Sequence, residues 1–356
     1  MSESSGLVPL PYSPSEVEAL LGEGGARTLL SAYRWMVLAR TLDARMQALQ
    51  RQGRVGFYGA ATGQEAVNVA AGLLSAPEDW VFPGLREQLV ALVRGHPLPT
   101  YVHHLFGDAL DPALGRNMPC HPSARDVHYV SMSSVIGTQI SQAVGVAQAM
   151  RLRRAAGVVL AFFGDGATSS NDFHAGLNFA GVLKVPVLFC CTNNQWAISV
   201  PVEHQSAVRQ LSDKARAYGL LGHRVDGTDF VASYAALSGA LGRLRDGAPP
   251  ELLEFLLYRM TPHSSSDDPG RYQPPDWAER ARRHDPVARL ELWMSENGLL
   301  AAGVREELVS AAEASVRAAI EAAEATALPA ESTLTEDIYA PRGPKLMGSG
   351  RGTETG

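Results

Sequence analysis

Over residues 27–52 apolar side chains recur at three- and four-residue intervals. Leu30, Tyr33, Val37, Met46 and Leu49 fall mostly on one face of a helix, which Gly53 ends. A turn at Gly56-Phe57-Tyr58-Gly59 leads to a second helix, about 64–74. A third is predicted over 138–154, where Ala143, Gly145, Ala147 and Ala149 allow close packing. The pattern then changes. Residues 158–163 are continuously apolar, as in a strand buried on both faces. Gly164-Asp165-Gly166 makes a turn. Ser170 or Asn171 can cap a helix to about 183, with Phe173, Leu177 and Ala180 inward. Residues 186–191 form a second buried strand, closed by Asn193-Asn194. Strands are also expected over 222–226 and 252–259, with a helix over 230–245 between them. Residues 286–325 read as largely helical. A strand–helix–strand unit makes its strands parallel, so the fold class is α/β: a mainly parallel sheet flanked by helices. Residues 1–25, rich in Ser, Gly, Pro and Glu, are expected to be a surface arm. Residues 26–340 should be one domain, and 341–356 a disordered tail.

Composition narrows the classes. The 356 residues are 46% hydrophobic and 19% charged with net charge −6, so there is no strong basic field for nucleic acid or an anionic membrane. No apolar run approaches the roughly 20 residues a spanning helix needs. Residues 1–16 carry no Lys or Arg, which points to the cytoplasm, with a mature organellar chain freed of its presequence as the alternative. Cys120, Cys190 and Cys191 have no zinc-ligand spacing and read as buried thiols.

The turn after the first buried strand carries the chemistry. In a parallel sheet ligands bind beyond the carboxyl ends of the strands. Asp165 follows one such end and Asn194 the next, 194 − 165 = 29 positions on. If the strands are neighbours, both side chains face one crevice. Magnesium takes about six oxygens at ~2.0–2.1 Å, usually shared between carboxylate and phosphates. Asp165 supplies a charged oxygen, Asn194 a neutral one, and the Trp196 backbone carbonyl a third. The flanking glycines and the following helix N-terminus suit a diphosphate.

Gly-Asp-Gly followed at this spacing by Asn-Asn resembles the fingerprint of thiamine-diphosphate enzymes. Over 27–339 the chain is similar to the α subunits of 2-oxoacid dehydrogenase first components. The likeness rests on Gln52-Gly53-Arg54-Val55-Gly56-Phe57-Tyr58, Gly63-Gln64-Glu65, Gly84-Leu85-Arg86-Glu87, residues 164–198 and His263-Ser264-Ser265-Ser266-Asp267-Asp268. It implies a thiamine-diphosphate-binding fold with magnesium at Asp165, Asn194 and Trp196. Further cofactor contacts would come from Arg86, Ser134, Ile136, Gly164, Gly166, Ala167, Ala197 and Ile198. His263 would stand by the diphosphate and the reaction centre as the catalytic candidate. Ser133, Thr138 and Gln139 would border a monovalent cation, K+, and Phe57 and Tyr58 the substrate pocket.

Gly115-Arg116-Asn117-Met118-Pro119-Cys120-His121 is similar to the branched-chain 2-oxoacid enzymes, whereas Leu85, Val135, Ser170-Asn171 and Trp196 depart from the usual family residues. The implied activity is oxidative decarboxylation of a branched 2-oxoacid, with the acyl group passed to a lipoyl group on an acyltransferase component. The family's activating glutamate belongs to a β subunit and has no counterpart here, so a shared site in an α2β2 assembly is implied. Pyruvate and acetoin dehydrogenase α subunits are the competing enzymes. A non-catalytic scaffold subunit is the alternative outside catalysis. The polar stretch 261–272 is expected to order over bound cofactor, with Arg271 pairing with Asp267 or Asp268.

Overall fold

In the computed structural model, which describes residues 6–336, seven strands follow one another along the chain. They are β1 (Trp80–Phe82), β2 (Val159–Gly164), β3 (Val187–Asn193), β4 (Trp196–Ala197), β5 (Val200–Pro201), β6 (Leu221–Asp226) and β7 (Glu251–Leu256). Five make one sheet in the order β1-β2-β3-β7-β6, every pair parallel. The other two, β4 and β5, form a small antiparallel ribbon directly after β3. The α/β expectation holds. The tail expected over 341–356 lies outside the described residues.

Each face of the sheet has its own core, because successive strand side chains alternate. Leu160, Phe162, Leu188, Cys190 and Phe255 join the helices Gly25–Arg51, Glu65–Leu74, Phe230–Arg245, Pro286–Glu296 and Val304–Glu324. Ala161, Phe163, Phe189 and Cys191 join the helices Thr138–Arg153 and Asn171–Leu183. Burial on both sides explains the unbroken apolar runs of β2 and β3. Ser170 caps its helix, its hydroxyl accepting from the Phe173 N–H, and Phe173, Leu177 and Ala180 are buried as predicted. All three cysteines are free and buried. No helix among the described residues is long and apolar enough to cross a membrane.

The first described residues are more ordered than an arm. Pro14–Leu21 is a helix with a capping box, in which Ser13 and Glu16 bond each other's backbone N–H. Leu10, Val17 and Leu21 are buried. The Tyr12 carbonyl accepts from the Trp293 indole at 2.8 Å, and the Val8 carbonyl from Arg289 at 2.8 Å.

Two connections at the carboxyl end of the sheet are pressed together at Gly63. Its φ is +99°, and a Cβ there would overlap the Tyr258 carbonyl oxygen. Gly63→Ala is therefore expected to destabilise beyond the ~1–3 kcal/mol of unfavourable backbone alone. Gly95→Ala, at φ +109° in open space, isolates that backbone cost. Urea unfolding of both variants checks this; equal losses would show that the contact is relaxed.

Candidate active site

The register of the sheet assembles the site. Gly164 pairs with Thr192 across β2 and β3, so the residues that follow leave the sheet side by side. After β2 the chain makes a 3-10 turn, Asp165–Ser169, and after β3 it enters the β4–β5 ribbon. Asp165, Asn194, Trp196, Arg86 and His263 all line one cavity of about 440 Å³. Of the other expected positions, Phe57, Ser133, Ser134, Ile136, Gln139, Gly164, Gly166, Ala167, Ala197 and Ile198 line it too. A larger groove of about 650 Å³ lies between the helices Gly25–Arg51 and Val304–Glu324, and contains none of these residues.

Two expected positions are not at the cavity wall. Tyr58 belongs to the core: it is 3% exposed, and its hydroxyl donates to Asp43 Oδ1 at 2.8 Å. The turn that presents Phe57 sends the next side chain the opposite way. Thr138 opens its helix one residue before Gln139, which does reach the wall. The paired asparagines divide their work. Asn193 is still in the strand and donates to Glu254 at 2.8 Å, while Asn194 lines the cavity and its Oδ1 accepts from the Trp196 N–H at 3.3 Å.

Asp165 is 2% exposed, and burial pushes its carboxyl up to about 6. Its Oδ2 accepts from the Gln205 amide at 3.2 Å, a neutral partner. A buried carboxylate with a neutral donor is short of positive charge, which fits a cation. Other wall residues carry spare polar capacity. Both side-chain polar atoms of Gln64, Gln139 Oε1 and the Trp196 indole N–H have no partner among the described residues. The Gln139 amide nitrogen is already given to the Phe162 carbonyl at 2.9 Å. The donor set therefore suits a diphosphate with its metal ion.

Arg86 is buried, and its guanidinium bonds the Ala60 carbonyl and, at 2.7 Å, the His263 carbonyl. Burial, then the like charge of Arg259, lowers it to about 10, so it stays a cation at neutral pH. Burial, with Arg86 and Arg259 nearby, drives His263 down to about 4, leaving the imidazole neutral. At the apolar end Phe57 and His121 face each other, ring centroids 6.2 Å apart. His121 Nδ1 lies 3.0 Å from the Pro119 carbonyl, which fixes the proton there, so Nε2 accepts from the Ser134 hydroxyl at 2.5 Å.

The loop after β7 is held differently from the expectation. The cation beside Asp267 is Arg259, at 3.9 Å, rather than Arg271. Asp267 also accepts from the Tyr272 hydroxyl at 2.6 Å and the His263 N–H at 2.7 Å. Arg259 donates to the carbonyls of Trp196 and Ile198 at 3.4 and 2.8 Å. An Arg leaving the carboxyl end of a predicted strand was the available signal for it. For Gln205 there was none, because it lies in a polar stretch without periodicity. Gln195 and Ile198 hold left-handed φ values of +73° and +55°. For a β-branched residue this is a strained conformation, of the kind found where function over-determines the backbone.

Comparison with known proteins shows the family. The family model described as "Dehydrogenase E1 component" matches residues 33–332. The chain is 37% identical to the mitochondrial 2-oxoisovalerate dehydrogenase subunit alpha 2 of Arabidopsis thaliana, over 86% of this chain and 65% of that one. It is 37% identical to the 2-oxoisovalerate dehydrogenase subunit alpha of Bacillus subtilis, over 86% of this chain and 94% of that one. Identity to the pyruvate dehydrogenase E1 component subunit alpha of Bacillus cereus is also 37%, over 90% and 85%. The chain thus spans just under two thirds of the plant relative and nearly all of the Bacillus subtilis one. With the family model covering most of its length, this chain belongs to the dehydrogenase E1 component family.

Proposed function

We propose that this chain is the α subunit of a thiamine-diphosphate-dependent 2-oxoacid dehydrogenase acting on branched-chain 2-oxoacids. The observation that carries the reading is the buried Asp165 carboxylate, beside Asn194 at the ends of neighbouring parallel strands and in one cavity with Arg86 and His263. When bound, thiamine diphosphate supplies an electron sink for decarboxylation. Asp165, Asn194 and the Trp196 carbonyl would hold its magnesium, and Gly166 lets the loop that carries Asp165 lie against Ala197. Ser133 and Gln139 remain the candidates for K+, with Thr138 behind them. The neutral His263 imidazole can donate one hydrogen bond and accept another at the cavity wall. Residues 26–340 would act as one cofactor-binding domain. The free, buried cysteines suit a cytoplasmic protein.

The site is proposed to be shared with a β subunit in an α2β2 assembly that feeds a lipoyl-bearing acyltransferase. Its rim supports this: Met118, Val135, Ile136 and Ile198 line the cavity yet are each more than half exposed. Such a collar is what a partner chain would cover. The branched-chain assignment draws on the apolar wall of Phe57, Leu85, Met118 and Met132. The pyruvate relative, equal in identity, makes pyruvate the competing substrate.

Two outcomes are expected of the subunit alone and of the assembly. Isolated α chain should show no 2-oxoacid decarboxylation; turnover without detectable β chain would refute the shared site. With its β subunit co-expressed, kcat/KM should be at least about tenfold higher for 3-methyl-2-oxobutanoate than for pyruvate, the scale that one or two methylenes supply in an apolar pocket. Pyruvate or acetoin ahead would reassign the substrate.

Asp165→Ala should weaken magnesium-dependent cofactor binding by ~3–5 kcal/mol, by analogy with broken buried ion pairs. In the wild type the metal takes the carboxylate form, so protons compete with it below pH 6. Affinity measured by calorimetry should be flat above about pH 7 and fall as pH drops through 6, by up to about tenfold per unit. A pH-independent affinity would remove Asp165 from the metal site.

A further inference from the structure

Gln205 stands outside every motif that marks the family likeness, yet it bridges Asp165 to the ribbon that follows Asn194. It follows the 3-10 turn Val202–His204, at the far end of the β4–β5 ribbon. Its amide nitrogen donates to Asp165 Oδ2 at 3.2 Å and to the Val200 carbonyl at 3.1 Å. Both amide protons are thereby committed, one to each loop. The backbone is tied in the same sense, since the Gln205 carbonyl accepts from the Ser169 hydroxyl at 3.4 Å. Gly166 marks how close the loops lie: a Cβ there would stand 2.7 Å from Ala197 Cβ and 3.4 Å from Gln205 Oε1.

We propose that Gln205 is a positioning residue for the metal ligand Asp165, locking one carboxylate oxygen against the β4–β5 ribbon so that the other faces the cavity. The proposal rests on the reading of Asp165 as a magnesium ligand. A free carboxylate rotates about χ2 and must be ordered when a metal arrives. A carboxylate held through one oxygen is ordered beforehand, and the ion meets a preset ligand. The type of residue matters. Lysine or arginine at this position would neutralise Asp165 and compete with the metal, and glutamate would repel it. A carboxamide orients the carboxylate while leaving its charge for the ion. Because Gln205 also holds Val200, it sets Asp165 against the ribbon that carries the Trp196 carbonyl and follows Asn194. Two loops from two strands become one rigid ligand set.

The test is a magnesium titration of the co-expressed αβ assembly at fixed thiamine diphosphate, followed by tryptophan fluorescence. Gln205→Met keeps length and removes both donors. Gln205→Asn keeps the amide but is one methylene too short to bridge. Both should raise the half-saturating magnesium concentration, roughly 10–100-fold for Gln205→Met, with the full fluorescence change recovered at high magnesium. The Tm of the cofactor-free assembly should stay within about 2 °C of wild type, which a merely structural role would not allow. An unchanged half-saturation in Gln205→Met, with Asp165→Ala still defective, would overturn the role of Gln205. Normal magnesium dependence in Asp165→Ala would instead overturn the clamp itself.

Discussion

Parallel pairing of β2 with β3, in a register that sets Gly164 against Thr192, is the constraint on which the site depends. It delivers two chain segments to one place, with a helix N-terminus close behind the first. A shift of one residue in that register would turn the Phe162 and Phe163 side chains to opposite cores. The burial of both faces therefore fixes the geometry of the clamp. The position of Asp165 is a by-product of core packing in two layers, and the carboxylate ends almost wholly out of water.

That placement works against stability. A buried carboxylate with a neutral partner, unpaired atoms on Gln64, Gln139 and Trp196, and left-handed backbone at Ile198 gather at one cavity. Each unpaired buried polar group costs about 1–3 kcal/mol. The two cores offset this, as the large buried side chains Phe162, Phe163, Phe173, Phe189 and Phe255 indicate. A cavity wall that keeps unpartnered polar atoms and a buried carboxylate, at a stability cost borne by the two cores, is what a ligand site requires.

Much of this was legible in the sequence, and the reasons differ by element. β2, β3 and the helix between them were clear because burial on two faces leaves an unbroken apolar signature and Pro186 punctuates it. β1 was not, since three residues carry no period. The helix Pro14–Leu21 was hidden by a polar composition, although Ser13 and Glu16 form a capping box. Asp165 and Asn194 could be placed because strand ends are readable. Tyr58 could not, because a turn residue gives no sign of which way its side chain points. Gln205 acts through geometry between distant segments, which no local pattern records, whereas Arg259 was marked only by its place at the end of a predicted strand.

The cationic groups of the cavity show how far its parts are coupled. Arg86 bonds the Ala60 carbonyl on one side and the His263 carbonyl on the other. Gly63, three residues beyond Ala60, lies against the Tyr258 carbonyl, and Arg259 next to it reaches the Trp196 and Ile198 carbonyls. The turn bearing Phe57, the segment bearing His263 and the ribbon after β3 are thus joined by two guanidinium groups through backbone oxygens. Backbone carbonyls do not titrate, so these joints hold across the pH range in which Asp165 changes charge. Burial, reinforced by the same two cations, keeps the His263 imidazole neutral. Replacing either with lysine would keep a positive charge but lose the planar fork that bridges two carbonyls. The joint, more than the charge, is what arginine contributes at both positions.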